Sequence, residues 1–173
     1  MLRKAVLFVA LAVIGAASYA QDSTPLQVVD ANGNVLGRYA TNPGDAAIIS
    51  TSYGLVSFPL DFDATSSEYW NWSTSASEVY FQSVDCTGKA YISFGFGSRG
   101  VLPSLVTNGQ SHHYLWVADS GTLVAVDAGK VHSFFSGDTC SPTSNQHIRN
   151  SVWVSSHPPI DLQALFTPPF KLR

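Results

Sequence analysis

The feature that most constrains this chain is an apolar/polar alternation with a period of two that recurs along its length. Val56, Phe58, Leu60 and Phe62 alternate with Ser57, Pro59, Asp61 and Asp63, and Ala90, Ile92, Phe94 and Phe96 alternate with Tyr91, Ser93 and Gly95. His113–Val117, Thr122–Val126 and Ser151–Val154 behave in the same way. Successive side chains of a strand point to opposite faces, so this pattern predicts sheets with one apolar face each. Turn residues fall between the runs: Asn32-Gly33, Asn108-Gly109, Ser120-Gly121 and Gly129-Lys130. Asn-Gly supplies the two positive-φ residues of a tight hairpin turn. The expectation is an all-β fold, an antiparallel sandwich or barrel of about eight to ten short strands with little helix. Pro59 predicts an edge or a bulge for its strand. Asp161–Phe166, after Pro158-Pro159, predicts one or two helical turns, and the Ser/Thr-rich stretches 64–77 and 139–150 predict long loops.

The first 20 residues predict a cleavable export signal. Arg3 and Lys4 precede an apolar run from Ala5 to Ala17, and Ser18-Tyr19-Ala20 offers the small residues of a cleavage site before Gln21. That run is shorter than the roughly 18 to 20 residues that span a bilayer, which favours cleavage over anchoring, and no second run approaches that length. The segment 21–173 then forms a single β domain. Loss of Arg3 and Lys4 takes the basic count from 9 to 7 against 12 acidic residues, and the net charge from −3 to −5. An acidic chain lacks the basic surface that nucleic acid requires, so that partner is excluded. Charged residues make up only 12% of the chain while 45% is hydrophobic, a balance that suits an exported β protein and not a disordered one.

The two cysteines, Cys86 and Cys140, have one possible pairing, and an oxidising compartment predicts that they form it. They lack the close spacing of zinc motifs. No motif calls for a cofactor or a metal. Gly95-Phe96-Gly97-Ser98-Arg99-Gly100 fits a dinucleotide fingerprint in letters, with Asp119 downstream, but Pro103 and a hairpin follow where a helix is required. Asp30-Ala31-Asn32-Gly33-Asn34 lacks the later acidic ligand of a calcium loop and predicts a hairpin turn. His112, His113, His132, His147 and His157 are scattered, with only His113 and His132 placed to meet across strands.

Catalysis has little support in the sequence. There is no G-x-S-x-G elbow, and Asp61, Asp63 and Glu68 are the acidic neighbours that would suit a glycosidase. Their alternative role is a charged edge that discourages aggregation. Tyr69-Trp70-Asn71-Trp72 is the stretch most suggestive of binding, because loop aromatics of exported β proteins stack on sugars or anchor partner proteins. The competing role of Tyr69, Trp70 and Trp72 is a satellite core under their loop. Asn71-Trp72-Ser73 also fits a glycosylation acceptor, which matters only in a eukaryotic host.

Three patches resemble a group of uncharacterised exported bacterial proteins: Val29–Gly37 with its D-x-N-G-x-x-x-G pattern, Phe81–Tyr91 with S-x-D-C-x-G-x-A-Y, and Phe166–Phe170 with T-P-P-F. The resemblance implies β architecture and an extracellular structural or adhesive role, and it carries no catalytic residue across. The sequence therefore leads to a non-catalytic secreted or periplasmic domain that binds a glycan or a surface protein, or takes part in a surface structure. Its alternative is a carbohydrate-binding module or a glycoside hydrolase.

Overall fold

The computed structural model describes residues 25–41, 45–62, 69–72, 78–93, 100–108, 113–143, 148 and 151–173. The expected export signal, Asp63, Glu68, His112, His147, Ser73 and the segment 94–99 of the glycine-rich motif lie outside the described residues. In chain order the strands are β1 (Gln27–Val29), β2 (Val35–Ala40), β3 (Ala46–Thr51), β4 (Gly54–Phe62) and β5 (Tyr69–Trp72). There follow β6 (Glu78–Phe81), β7 (Ala90–Ile92), β8 (Ser104–Asn108), β9 (His113–Val117) and β10 (Val124–Ala125). The last are β11 (Ser133–Ser136), β12 (Thr139–Pro142), β13 (Ser151–Ser155), β14 (Ile160–Asp161) and β15 (Phe170–Leu172). A 3₁₀ turn at Ala128–Lys130 is the one helical element among the described residues.

The predicted all-β architecture is present, and the described strands pair antiparallel, with one isolated parallel bridge from Val56 to Leu102. Six strands pair in the order β1-β15-β5-β4-β3-β2, with β2 pairing back to β1, so this ring has no free edge. An open sheet runs β10-β13-β7-β6-β11-β12, and a third, β14-β9-β8, has three strands. The three-stranded sheet is the wall between the other two. From β8 and β9, Val106, Leu115 and Val117 join the ring residues Val28, Ile49, Val56, Phe58 and Phe170 in one core. Their chain neighbours Leu105 and Trp116 turn the other way and pack on Val79, Phe81, Ala90 and Ile92 of the open sheet. Both faces of this wall are apolar, and burying each such side chain is worth roughly 1.5 to 3 kcal/mol.

Trp116 holds the second interface together. Its ring meets Phe81 edge-on at 5.7 Å and Phe135 at 5.9 Å, and its indole N–H donates to the buried Thr107 hydroxyl at 3.2 Å. A buried indole needs such an acceptor, and each edge-to-face pair adds about 1 kcal/mol. The outer face of the open sheet carries Tyr80, Tyr91 and Val152, covered by Val126, Ala128, Val131 and Ile148.

Five local expectations are corrected. Thr139–Pro142, expected as the start of a long loop, is the strand β12, held by antiparallel pairing with β11. Tyr69–Trp72 is not loop but the strand β5, paired with β4 on one side and β15 on the other. The β1–β2 connection is not a two-residue turn. Gly33 alone takes a positive φ, of 84°, and the turn closes through Gly33 N–H to the Asp30 carbonyl and Asp30 N–H to the Asn34 carbonyl. β4 is interior to the ring; Pro59 is tolerated because pairing with β5 begins only at Leu60. After Asp161 the chain makes a single turn and no helix: Phe166 N–H donates to the Leu162 carbonyl at 2.9 Å, and the Asp161 carboxylate accepts from Gln163 N–H.

The Cys86–Cys140 disulfide is formed, with Cα atoms 5.9 Å apart. It ties the β6–β7 connection to β12, the edge strand of the open sheet.

Candidate functional site

The backbones of Tyr69, Trp70 and Trp72 are fixed in the ring. Tyr69 is in register with Lys171, Trp70 with Phe62 and Phe170, and Trp72 with Leu60; their side chains lie outside the described part. Asp61 stands opposite Asn71 and is half-buried. Of the described histidines, His113 is in β9 of the middle sheet and His132 is exposed just before β11, in the open sheet, while His157 follows β13. Among the described residues no group of three metal-type ligands gathers.

The patches quoted for their resemblance turn out to be locks between turns. Asp30 is fully buried, and its carboxylate accepts from Asn32 N–H at 2.9 Å, Asn34 N–H at 2.8 Å, the Asn34 amide at 3.0 Å and Thr167 N–H at 3.2 Å. Burial pushes its pKa up, but these donors outweigh burial and hold it below 3.8. A carboxylate so surrounded by donors is closed to a cation. Thr167 also receives the Asn32 amide on its hydroxyl at 3.0 Å and Ala31 N–H on its carbonyl at 2.9 Å, so the first and third patches are one unit in space. In the second patch, hydrogen bonds from the Thr87 and Ser83 hydroxyls lower the pKa of the exposed Asp85. Cys86 takes a left-handed φ of 57°, and its N–H donates to the buried Ser133 hydroxyl, which in turn donates to the Ser83 carbonyl.

Elsewhere, too, polar groups are engaged with one another. The Tyr39 hydroxyl donates to Asp45; burial first, and then this partner, raise its pKa to about 12. Tyr80 donates to Glu78 at 2.5 Å, and burial together with that carboxylate pushes the phenol well above its usual range.

His157 and Asp119 form an acid–imidazole pair. His157 Nε2 lies 3.5 Å from Asp119 Oδ1, and the His157 ring stacks on Tyr53 with centroids 4.2 Å apart and planes 8° from parallel. The nearby hydroxyl, however, serves the acid: Ser156 Oγ donates to Asp119 Oδ2 at 2.8 Å, and Ser156 N–H donates to Oδ1 at the same distance. A nucleophile–base pair needs the hydroxyl on the imidazole, so this constellation is a clasp and not a catalytic triad. It fastens the β3–β4 hairpin tip, through Tyr53, to the segment leading into β14.

Beside that clasp lies a cleft of about 240 Å³, lined by Leu36, Ile49, Ser50, Thr51, Ser52, Ile160, Leu165 and Phe166. A β-bulge makes its floor. Val28 pairs with Gly37 and Val29 with Val35, so Leu36 is the extra residue, and it is buried with Ile49 in the ring core. The turn after Asp161 supplies the other wall and holds Leu165 outward, 55% exposed. Sequence reasoning missed this cleft because three segments far apart in the chain build it. The available signal was an apolar Leu165 inside a short turn.

Comparison of the chain with protein families, curated proteins and solved structures finds no match. Among the described residues no helix is long and apolar enough to cross a membrane.

Proposed function

We propose that this protein is an exported, non-catalytic β domain that works by binding a glycan or a surface protein, or as part of a surface structure. The observation that carries the reading is the structural commitment of five of the twelve acids. Asp30, Asp45, Glu78, Asp85 and Asp119 each accept hydrogen bonds that fix a turn, a strand or a clasp. General acid–base chemistry needs a carboxyl whose proton is exchanged with substrate, and these carboxylates are spent on the fold. The disulfide supports work in an oxidising compartment, and the export signal expected from the sequence agrees with that reading. Among partners, glycan draws support from the aromatic strand β5, which carries Trp70 and Trp72 in the ring wall.

The test is a screen of the oxidised protein against polysaccharides and isolated cell wall, read by tryptophan fluorescence, with turnover of aryl glycosides and esters followed in parallel. Saturable binding without turnover is expected. Binding lost in a folded Trp70→Ala/Trp72→Ala variant would identify glycan as the partner. Turnover abolished by Asp61→Asn would overturn the non-catalytic reading in favour of a glycoside hydrolase.

A further inference from the structure

We infer that the cleft between the β3–β4 hairpin and the turn after Asp161 is a binding site for a small neutral amphiphile, an alkyl chain ending in a hydroxyl. The inference rests on the non-catalytic binding reading and names a ligand class for one site. The cleft is not a flat apolar face. Its floor is core: Leu36 is 6% and Ile49 4% exposed, so a chain entering it meets side chains already desolvated. Ile160 and Phe166 form the sides, and Leu165 projects over the opening as an apolar rim. At about 30 Å³ for a small group in a liquid, 240 Å³ holds a body of about eight methylene-sized groups.

Charge sets the class more sharply than size. None of the eight lining residues is charged, so a carboxylate or ammonium head group would lose water without gaining a counter-charge. The polar wall consists of hydroxyls. Thr51 Oγ1 is used locally, donating to the Gly54 carbonyl at 2.9 Å and accepting from Tyr53 N–H at 3.1 Å. Ser50 and Ser52 stand exposed on that wall and match one neutral donor–acceptor head group. A sugar fits less well, because its many hydroxyls would be stripped of water against Leu36, Ile49 and Leu165.

The site is also preorganised. Leu165 N–H and Phe166 N–H both donate to the Leu162 carbonyl, Leu162 is fully buried, and the Tyr53–His157 stack holds the facing hairpin. Little ordering entropy is left to lose on binding.

The test is a titration of the disulfide-intact protein with 1-octanol and, separately, with octanoate, followed by amide chemical shifts. Saturable shifts confined to Leu36 and to residues 49–52 and 160–166 are expected with 1-octanol, with octanoate at least tenfold weaker. Leu165→Glu should weaken 1-octanol at least tenfold while leaving the thermal midpoint unchanged, whereas Leu55→Glu, at an exposed site outside the cleft, should leave binding intact. If Leu165→Glu does not fold, Leu165→Ser gives the same test. Equal binding of octanoate, unchanged binding in a folded Leu165 variant, or shifts elsewhere would overturn the inference. Absence of 1-octanol binding would overturn it too while leaving the non-catalytic reading intact, since that reading falls only on turnover.

Discussion

A carboxylate taken out of water keeps its charge only where donors replace its hydration, and at Asp30 four N–H groups do so. Asp30→Ala leaves those donors facing an apolar methyl, at a cost of roughly 3 kcal/mol by urea denaturation at pH 7. The pH dependence has a definite sign. Because the folded-state pKa is held below 3.8, the contribution of Asp30 is present above about pH 4 and is lost as pH falls through the folded value. The stability gap between wild type and Asp30→Ala should therefore be constant from pH 7 to about 5 and narrow below 4. A gap that does not narrow would show that the ionised form contributes nothing special.

At the scale of elements, the two glycines of the first patch separate two kinds of constraint. Gly33 has a left-handed φ of 84° and open space around it, so alanine there meets only backbone strain of about 1 kcal/mol. Gly37 has ordinary backbone, but a Cβ would lie 2.1 Å from the Ile48 carbonyl oxygen of the neighbouring strand. Gly37→Ala should cost about 3 kcal/mol or more, because the obstruction is backbone that cannot rotate away. Thermal unfolding of the two variants checks the order, and equal costs would mean that β2 and β3 part easily.

Alternation made most of these elements legible. Val79 and Phe81 face the middle sheet while Tyr80 faces outward, Ala90 and Ile92 split from Tyr91 in the same way, and Trp153 splits from Val152 and Val154. Reading failed where side chains do not set the outcome. Ser/Thr-rich flanks hid β5, whose place depends on pairing with the distant β15. Thr122–Val126 shrinks to the two residues of β10, at an open edge with Val124 39% exposed. The disulfide was legible because two cysteines have one partner each. The Asp119–His157 clasp and the cleft were not, since no local spacing encodes them.

For the whole molecule, the disulfide is the main covalent brace. Its cysteines are 54 positions apart, so in the chain-entropy treatment it removes roughly 4 kcal/mol of freedom from the unfolded chain. A Cys86→Ala/Cys140→Ala variant should lose about that much in urea denaturation. Its open sheet should loosen first, seen as faster amide exchange in β11 and β12 than in the ring. Uniform exchange across both would show that the middle wall couples the layers into one cooperative unit.

The ring closes where β1 meets β15, with Gln27 and Arg173 exchanging both backbone hydrogen bonds at 3.0 and 2.9 Å. That seam joins residues far apart in sequence. A polypeptide threaded from its amino end cannot complete the barrel until Phe170–Leu172 has emerged, so β1 and β2 must wait with unsealed edges. Such a topology has a high contact order, so closure of the ring is expected to be a late and slow step of folding.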